Sequence, residues 1–476
     1  MSAGILSAIN SSAKALSTYT KAIEVTGNNT ANVDTEGYAR QKVTIGSAHY
    51  YNAGGYVQNT GVEVLAVEQV RDPVLDAQVV KENRTAGKLE AERDLLQLME
   101  NTLGDSVGRV TQLSTLDSSV EDNIGSGLVK QTQEFFSAWS EMAASPELST
   151  SQSVVHQRGE TLVENYQTVD ARLVELESDI DARIASDISN VEALVDEIGQ
   201  LNAAIGRMEV HNPGSAIELR SQRQKQIEEL AHYIDFETQT SEDRNGMIDI
   251  VLTTESGSTL ELLTGDQRYV DLSSDGTSIY AGKPPKAIKM DGGSLDGALS
   301  VRNGELADIR RSLDESAAQM VAAVNAAYNP TGVAGEDFFE AAGTTAGTIS
   351  LRTGLTAQDI RAHDVGAQGG NAVALAVSDV NDATFSKGTG DEIDGTIRDH
   401  LLGVTTSLGE SVSSVSAQVE AQETVQLYLE DQRASVSGVN LDEEVTKMMQ
   451  YQRNYQAASR VLATLDEMLE TIVTLV

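Results

Sequence analysis

The sequence predicts a mainly α-helical, elongated, multi-domain protein with one small β insert. Three observations carry that prediction: apolar residues at heptad spacing towards both ends of the chain, the same spacing sustained from about Thr150 to Arg207, and period-two alternation confined to about residues 235–300. Near the start, Ile5, Ile9, Leu16, Tyr19 and Ile23 fall at steps of four and three, with Ser12 and Thr26 at the remaining seam positions. Towards the other end, Leu441, Val445, Met448, Tyr455, Leu462, Leu465, Leu469, Ile472 and Val476 follow the same rule with one slip near Leu465. Gln452 and Ser459 are polar members of that seam. So narrow an apolar stripe cannot offset the nucleation cost and ordering entropy of an isolated helix. Each helix therefore needs a partner, and the simplest partner is the other one. Residues 1–45 and 437–476 are expected to form a terminal coiled-coil assembly domain, parallel or antiparallel, whose remaining faces await neighbouring molecules.

Between these ends the elements follow from local signals. Gly27 to Tyr38 is dense in residues that cap helices and tolerate left-handed backbone, so a structured turn is expected there, built on Asn29, Asn32, Gly37 and Tyr38. Gly37 is expected at positive φ, and so to tolerate valine less well than Gly292. A short β section follows, with Val57, Val62, Val64 and Val67 near Gly54, Gly55 and Gly61. Asp72-Pro73 opens a helix to about Leu103, a capping carboxylate followed by proline at the first helical position. In the long central helix Leu162, Tyr166, Val169, Leu173, Leu176, Ile180, Ile184, Ile188, Val191, Leu194, Ile198, Leu201 and Ile205 form one stripe. Pro213 breaks it, and a shorter helix runs to about Tyr233. Alternation through Ile248, Ile250, Leu252, Leu260 and Leu262 marks the antiparallel β insert, 235–300. A helix resumes from about Arg302 to Tyr328, a loop-rich section covers about 329–391, and helix dominates from about 392. The long-helix rod domain thus comprises 46–234 with 301–436.

Composition narrows the function. The 476 residues include 34 Lys and Arg against 72 Asp and Glu, a formal charge of −38, with no basic stripe to grip a phosphate backbone. No nucleic-acid partner is expected, and self-repulsion should make any homopolymer sensitive to ionic strength. There are no cysteines, so stability must come from packing. No window suits a membrane span, so no membrane insertion is expected. Asn10, Ser11, Ser12 and Lys14 interrupt what a cleaved secretory signal would need to be apolar. The six histidines show no metal-ligand spacing, and phosphate-cradling or nucleophile-elbow motifs are missing. Asp391, Glu392 and Asp394 lack the alternating ligands and closing Glu of a calcium loop. No enzyme activity, cofactor or metal is expected.

The stretch Asn28-Asn29-Thr30-Ala31-Asn32-Val33-Asp34-Thr35-Glu36-Gly37-Tyr38-Ala39-Arg40 resembles the N-terminal signature of the bacterial flagellar rod, hook and hook-associated axial proteins. Glu36 stands where that signature usually has Pro, and Thr30 where it often has Ile. Ser437 to Glu444, followed by Tyr451-Gln452 and Tyr455-Gln456-Ala457, is similar to the C-terminal signature of the same family. Gly292 to Leu299 and Gly335 to Phe339 are similar to an interior pattern of its hook-associated members. The resemblance implies a structural subunit exported unfolded through the flagellar type III apparatus, without a cleaved signal, to an extracellular place in the flagellum. There it would form the junction between hook and filament. The implied partners are further copies of itself, the hook protein, a second junction protein on the filament side, and the export chaperone FlgN on the C-terminal helix. Assembly would rest on Ile5, Ile9, Leu16, Tyr19 and Ile23 with Leu441, Val445, Met448, Tyr455, Leu462, Leu469 and Ile472. Two alternatives stay open: a hook or rod subunit, and a secreted acidic binding module or hydrolase centred on residues 235–400.

Overall fold

A computed structural model describes residues 2–35, 37–47, 50–53, 56–59, 61–107, 127–240, 245–363 and 369–474. Glu36, Gly54, Gly55 and Val476, and the side chain of Ile472, lie outside what is described. Helix α1 spans Ser2–Ala31. It is followed by β1 (Gln41–Ser47), β2 (Tyr50–Ala53), β3 (Tyr56–Asn59) and β4 (Val62–Gln69). Strands β1 and β4 pair antiparallel with a register shift at Thr44/Ile45, and the β2–β3 hairpin lies between them in sequence. Helix α2 (Pro73–Val107) starts where Asp72-Pro73 predicts, with Asp72 Oδ1 accepting from the Val74 amide at 2.9 Å.

Three helices continue the chain: α3 (Leu128–Ala144), α4 (Ser149–Glu209) and α5 (Ile217–Tyr233). At 1.5 Å per residue α4 is about 90 Å long. Every residue of its predicted stripe is buried except Leu201, which is half-buried. At one end the stripe meets a cluster of rings in which Phe135, Trp139, Tyr328, Phe338 and Phe339 lie edge-on or tilted to one another, 4.9–6.3 Å apart.

Among the described residues the β insert holds two sheets. One has the order β5 (Glu237–Thr240), β6 (Ile248–Thr253), β7 (Thr259–Thr264), β8 (Gln267–Arg268); the other the order β11 (Lys286–Ala287), β10 (Ile279–Ala281), β9 (Leu272–Ser274). The insert ends earlier than the sequence suggests. Helix α6 occupies Ser294–Val301, a π-helical turn covers Arg302–Leu306, and α7 runs over Ala307–Tyr328. Gly292, Gly293 and Gly297, placed by the sequence within the β insert, are the residues that allow close approach: a Cβ on Gly297 would lie 2.4 Å from the Lys88 carbonyl oxygen of α2.

After α8 (Ala372–Asp379) come α9 (Ile397–Ser437) and α10 (Leu441–Thr474). Helix α9 runs back beside α2. Gln422 donates to Glu82 at 2.8 Å, Gln426 to Asn83 at 3.3 Å, and Arg433 faces Asp76 at 3.9 Å, so the two helices are antiparallel. Helix α7 is likewise antiparallel to α4, held by Tyr166 with Ser316 (2.8 Å), Arg310 with Glu177 (3.0 Å) and Arg302 with Asp181 (2.6 Å).

The candidate assembly interface

The two heptad helices do pair. Asn29, near the end of α1, donates to Glu444, in the first turn of α10, at 2.9 Å, and the helices then pack side by side along their lengths. The pair is therefore antiparallel, a direction the spacing alone leaves open. Ile5, Ile9, Leu16, Tyr19 and Ile23 are all half-buried, while Ser12, Thr18, Ala22, Val25, Thr26 and Asn29 are fully buried. Helix α1 is covered on a second side by the β1–β4 ribbon, to which Thr18 Oγ1 donates through the Val62 carbonyl at 3.1 Å.

On α10 the seam differs from the predicted one. Glu444 is buried, and Met448, Tyr451, Ala458, Leu462, Leu465 and Leu469 are half-buried. Asn454 is half-buried as well while Tyr455 is exposed, so the buried and half-buried positions recur at steps of three and four from Glu444 to Leu469. Leu441 and Val445, predicted in the seam, are each 45 % exposed and point away from α1, as do Gln452 and Ser459. The predicted slip arose from joining two adjacent stripes, one facing α1 and one facing outward.

The turn residues form a bonded joint. The amide of Asn29 donates to the Gln41 carbonyl (2.8 Å) and to Glu444, and its oxygen accepts from the Gln41 amide (2.9 Å) and the Tyr38 hydroxyl (3.0 Å). Asn29 therefore belongs to the last turn of α1, and the chain turns at Asn32, whose side chain donates to the Asn28 carbonyl and accepts from Thr35. Helix continues through Gly27-Asn28-Asn29, against the reading of those residues as breakers, because these tertiary partners hold Asn29 in place. Gly37 has φ +74°, and its carbonyl accepts from Arg71 at 3.0 Å. Burial pushes the Tyr38 hydroxyl up to about 12, with Glu218 and Glu444 adding to the shift. Lys447 compensates the buried Glu444 carboxylate at 2.8 Å, Arg40 reaches Glu443 at 3.1 Å, and the Arg40 amide donates to the Ser437 carbonyl at 2.8 Å. Sequence reasoning missed Gln41 and Glu444. An acidic first turn is common for helix-dipole reasons, so nothing local marks Glu444 as a partner for Asn29.

Among the described residues there is no group of His, Cys, Asp and Glu placed to hold a metal ion, and no helix long and apolar enough to cross a membrane. His156 and His400 each sit 3.0 Å from a backbone carbonyl oxygen, of Leu355 and Ser312 respectively.

Comparison with known proteins agrees with this architecture. The family model described as the flagellar hook-associated protein FlgK helical domain matches residues 113–339. That for the flagellar basal body rod FlgEFG protein C-terminal region matches 431–475, and that for the flagella basal body rod protein matches 9–38. The last two fall on α10 and α1. Flagellar hook-associated protein 1 of Bacillus subtilis is 24 % identical, over 97 % of this chain and 96 % of the relative. Its namesake in Salmonella typhimurium is 22 % identical over 98 % and 100 %. The structure of the flagellar hook junction protein FlgK from Burkholderia pseudomallei shares the fold, with a TM-score of 0.58 at 13 % identity, covering 76 % of this chain and all of that one. With its paired end helices and its helical body, this chain is similar over nearly its full length to flagellar hook-associated protein 1, FlgK.

Proposed function

We propose that this chain is a non-enzymatic structural subunit of the bacterial flagellum that forms the junction between hook and filament and assembles through α1 and α10. The observation that carries the proposal is the α1/α10 pair itself: among the described residues α10 packs chiefly on α1 and leaves Leu441, Val445, Met449, Val461 and Met468 between 45 % and 51 % exposed. A helix pair with that much uncovered apolar surface is a binding surface awaiting further protein. The predicted seam residues Ile5, Ile9, Leu16, Tyr19, Ile23, Met448, Leu462 and Leu469 would then hold the pair together, while Leu441, Val445 and Tyr455 would face neighbours.

The finer partners follow from the same surface. Copies of the chain, the hook protein on one side and a second junction protein on the other would cover these helices in the flagellum. Before export, as an extracellular component leaving without a cleaved signal, α10 would be shielded by the chaperone FlgN. The test replaces Leu462 and Leu469 together by Asp in cells carrying no other copy. Filaments should be lost from the hooks while the purified variant keeps its helical content. Filaments still attached would overturn the proposal.

A further inference from the structure

We infer that the β insert carries a binding site for a neutral sugar, formed by the turns Asn245-Gly246 and Gly265-Asp266 beside Tyr269. The site belongs to the insert and not to α1 or α10, so the inference does not rest on the assembly role proposed above. Asn245-Gly246 leads into β6, and Gly265-Asp266 joins β7 to β8. Asn245, Gly246 and Gly265 have φ of +46°, +79° and +62°, the left-handed backbone of sharp turns. The two turns border a surface cavity of about 440 Å³, to which Met247, Thr264, Gln267 and Tyr269 also contribute. Cavities of about 300–1,000 Å³ hold small molecules.

Both turns are fixed from beneath by buried side chains. Asn202 of α4, with no exposed surface, donates to the Gly265 carbonyl at 2.6 Å and to the Ile248 carbonyl at 2.8 Å. Its oxygen accepts from Arg223 of α5 at 2.8 Å, and buried Arg223 also donates to the Gly246 carbonyl at 2.8 Å. The Gly265 amide donates to Asp249 at 2.6 Å. Helix α4 has glycine where the turns rest on it: a Cβ on Gly199 would lie 3.0 Å from the Asp266 carbonyl oxygen, and one on Gly206 would collide with Met247. A backbone held in this way is set before a ligand arrives, so little ordering entropy opposes binding.

The outer surface of the turns is chemically different. Tyr269 is 63 % exposed, and Asn245, Asp266 and Gln267 beside it are exposed as well. The side chains of those three make no hydrogen bond to any other described residue. Two amides supply donors and acceptors and Asp266 supplies a further acceptor, the set that engages adjacent hydroxyls. The Tyr269 ring supplies a flat apolar face with a polar edge, which matches the C–H face of a pyranose. Among the described residues no cation lines the cavity, and Arg220, beside Gly246, is held by Glu209 through two bonds of 2.8 and 2.7 Å. With a net charge of −38 on the chain, phosphate and carboxylate ligands are repelled. The chemistry left is that of an uncharged hexopyranose, free or at the end of a glycan.

Saturation-transfer NMR on the purified full-length protein tests this, with the methyl glycosides of glucose, galactose and mannose as neutral probes and glucuronate as the charged one. The expected result is transfer to at least one neutral glycoside and none to glucuronate. Tyr269→Ala should weaken that binding about tenfold, the worth of one aromatic contact. Gln267→Ala should weaken it too, so the test survives if one variant melts early. Filament attachment should be unchanged in both variants. No transfer to any neutral glycoside, equal transfer to glucuronate, or full affinity in Tyr269→Ala would each overturn the site. Filaments lost in Tyr269→Ala would also overturn it, by placing the residue among the assembly contacts.

Discussion

Asn29 uses all of its hydrogen-bonding capacity inside the protein: two amide hydrogens and two oxygen lone pairs, each with a partner, at a position with no exposed surface. Replacing it by Ala leaves Gln41, Tyr38 and Glu444 without those bonds in a buried setting, at a cost of about 3 kcal/mol. Amide hydrogen exchange should therefore quicken in the first turns of α10 in Asn29→Ala while the α4 core keeps its protection. Gly37 offers a second test, with a corrected control. Gly292 also has positive φ, +123°, and a Cβ there would lie 2.6 Å from Arg84, so valine is excluded at both positions and the pair does not single out the turn. Gly403, in a helix and with nothing within 4 Å of an added Cβ, is the informative comparison. Gly37→Ala should destabilise by about 1–2 kcal/mol and Gly403→Ala should stabilise by up to about 1 kcal/mol, both read from urea unfolding. Buried Glu209 is a third case. Its carboxyl loses hydration on burial, but bonds from Arg220 and the backbone outweigh that and hold it below the ordinary carboxylate range. A depressed carboxylate contributes stability that is present above its unfolded value and is lost as pH falls through the folded one. The native protein should thus lose thermal stability on acidification more steeply than Glu209→Gln, and equal slopes would remove the carboxylate from the account.

Helices differ in how much of themselves they show in sequence. The α4 stripe was legible over its whole length because one face is buried throughout, so apolar spacing and burial coincide. In α10 two partly apolar faces adjoin, and periodicity cannot say which of them meets α1. Hence Leu441 and Val445 were placed in a seam that begins instead at Glu444, and the pairing direction stayed open. The early start of α6 was hidden because its glycines are required by close packing on α2, a tertiary reason that leaves no helical signal in the sequence. The end of α1 was hidden for a similar reason, since Asn29 is retained by partners that lie 12 and 415 positions away. The corrected register makes a sharp prediction about neighbouring residues. Ala458 is half-buried against α1 and Ser459 is exposed. Ala458→Asp should place a charge in the seam and destabilise the pair by about 2 kcal/mol or more, whereas Ser459→Asp should stay within about 0.5 kcal/mol. Limited proteolysis of α1 and α10 reads the difference, and greater sensitivity in Ser459→Asp would restore the slipped seam.

For the whole molecule, charge and apolar surface are distributed in opposite senses. The helical body and β insert carry nearly all of the −38, while the end helices carry almost none of it and the exposed apolar residues of α10. Copies that assemble through α1 and α10 must still bring their acidic bodies near one another. The attraction between apolar residues is short-ranged and little affected by moderate salt, whereas repulsion between bodies extends over the screening length, about 30 Å at 0.01 M and 10 Å at 0.1 M ionic strength. Raising salt through that range should therefore favour self-association of the purified protein, the opposite of an interface held by ion pairs. Sedimentation at several salt concentrations measures it directly. Association that weakened with salt would mean that pairs such as Arg40 with Glu443 form between copies instead of within one, and the division of labour between neutral ends and acidic body would fail.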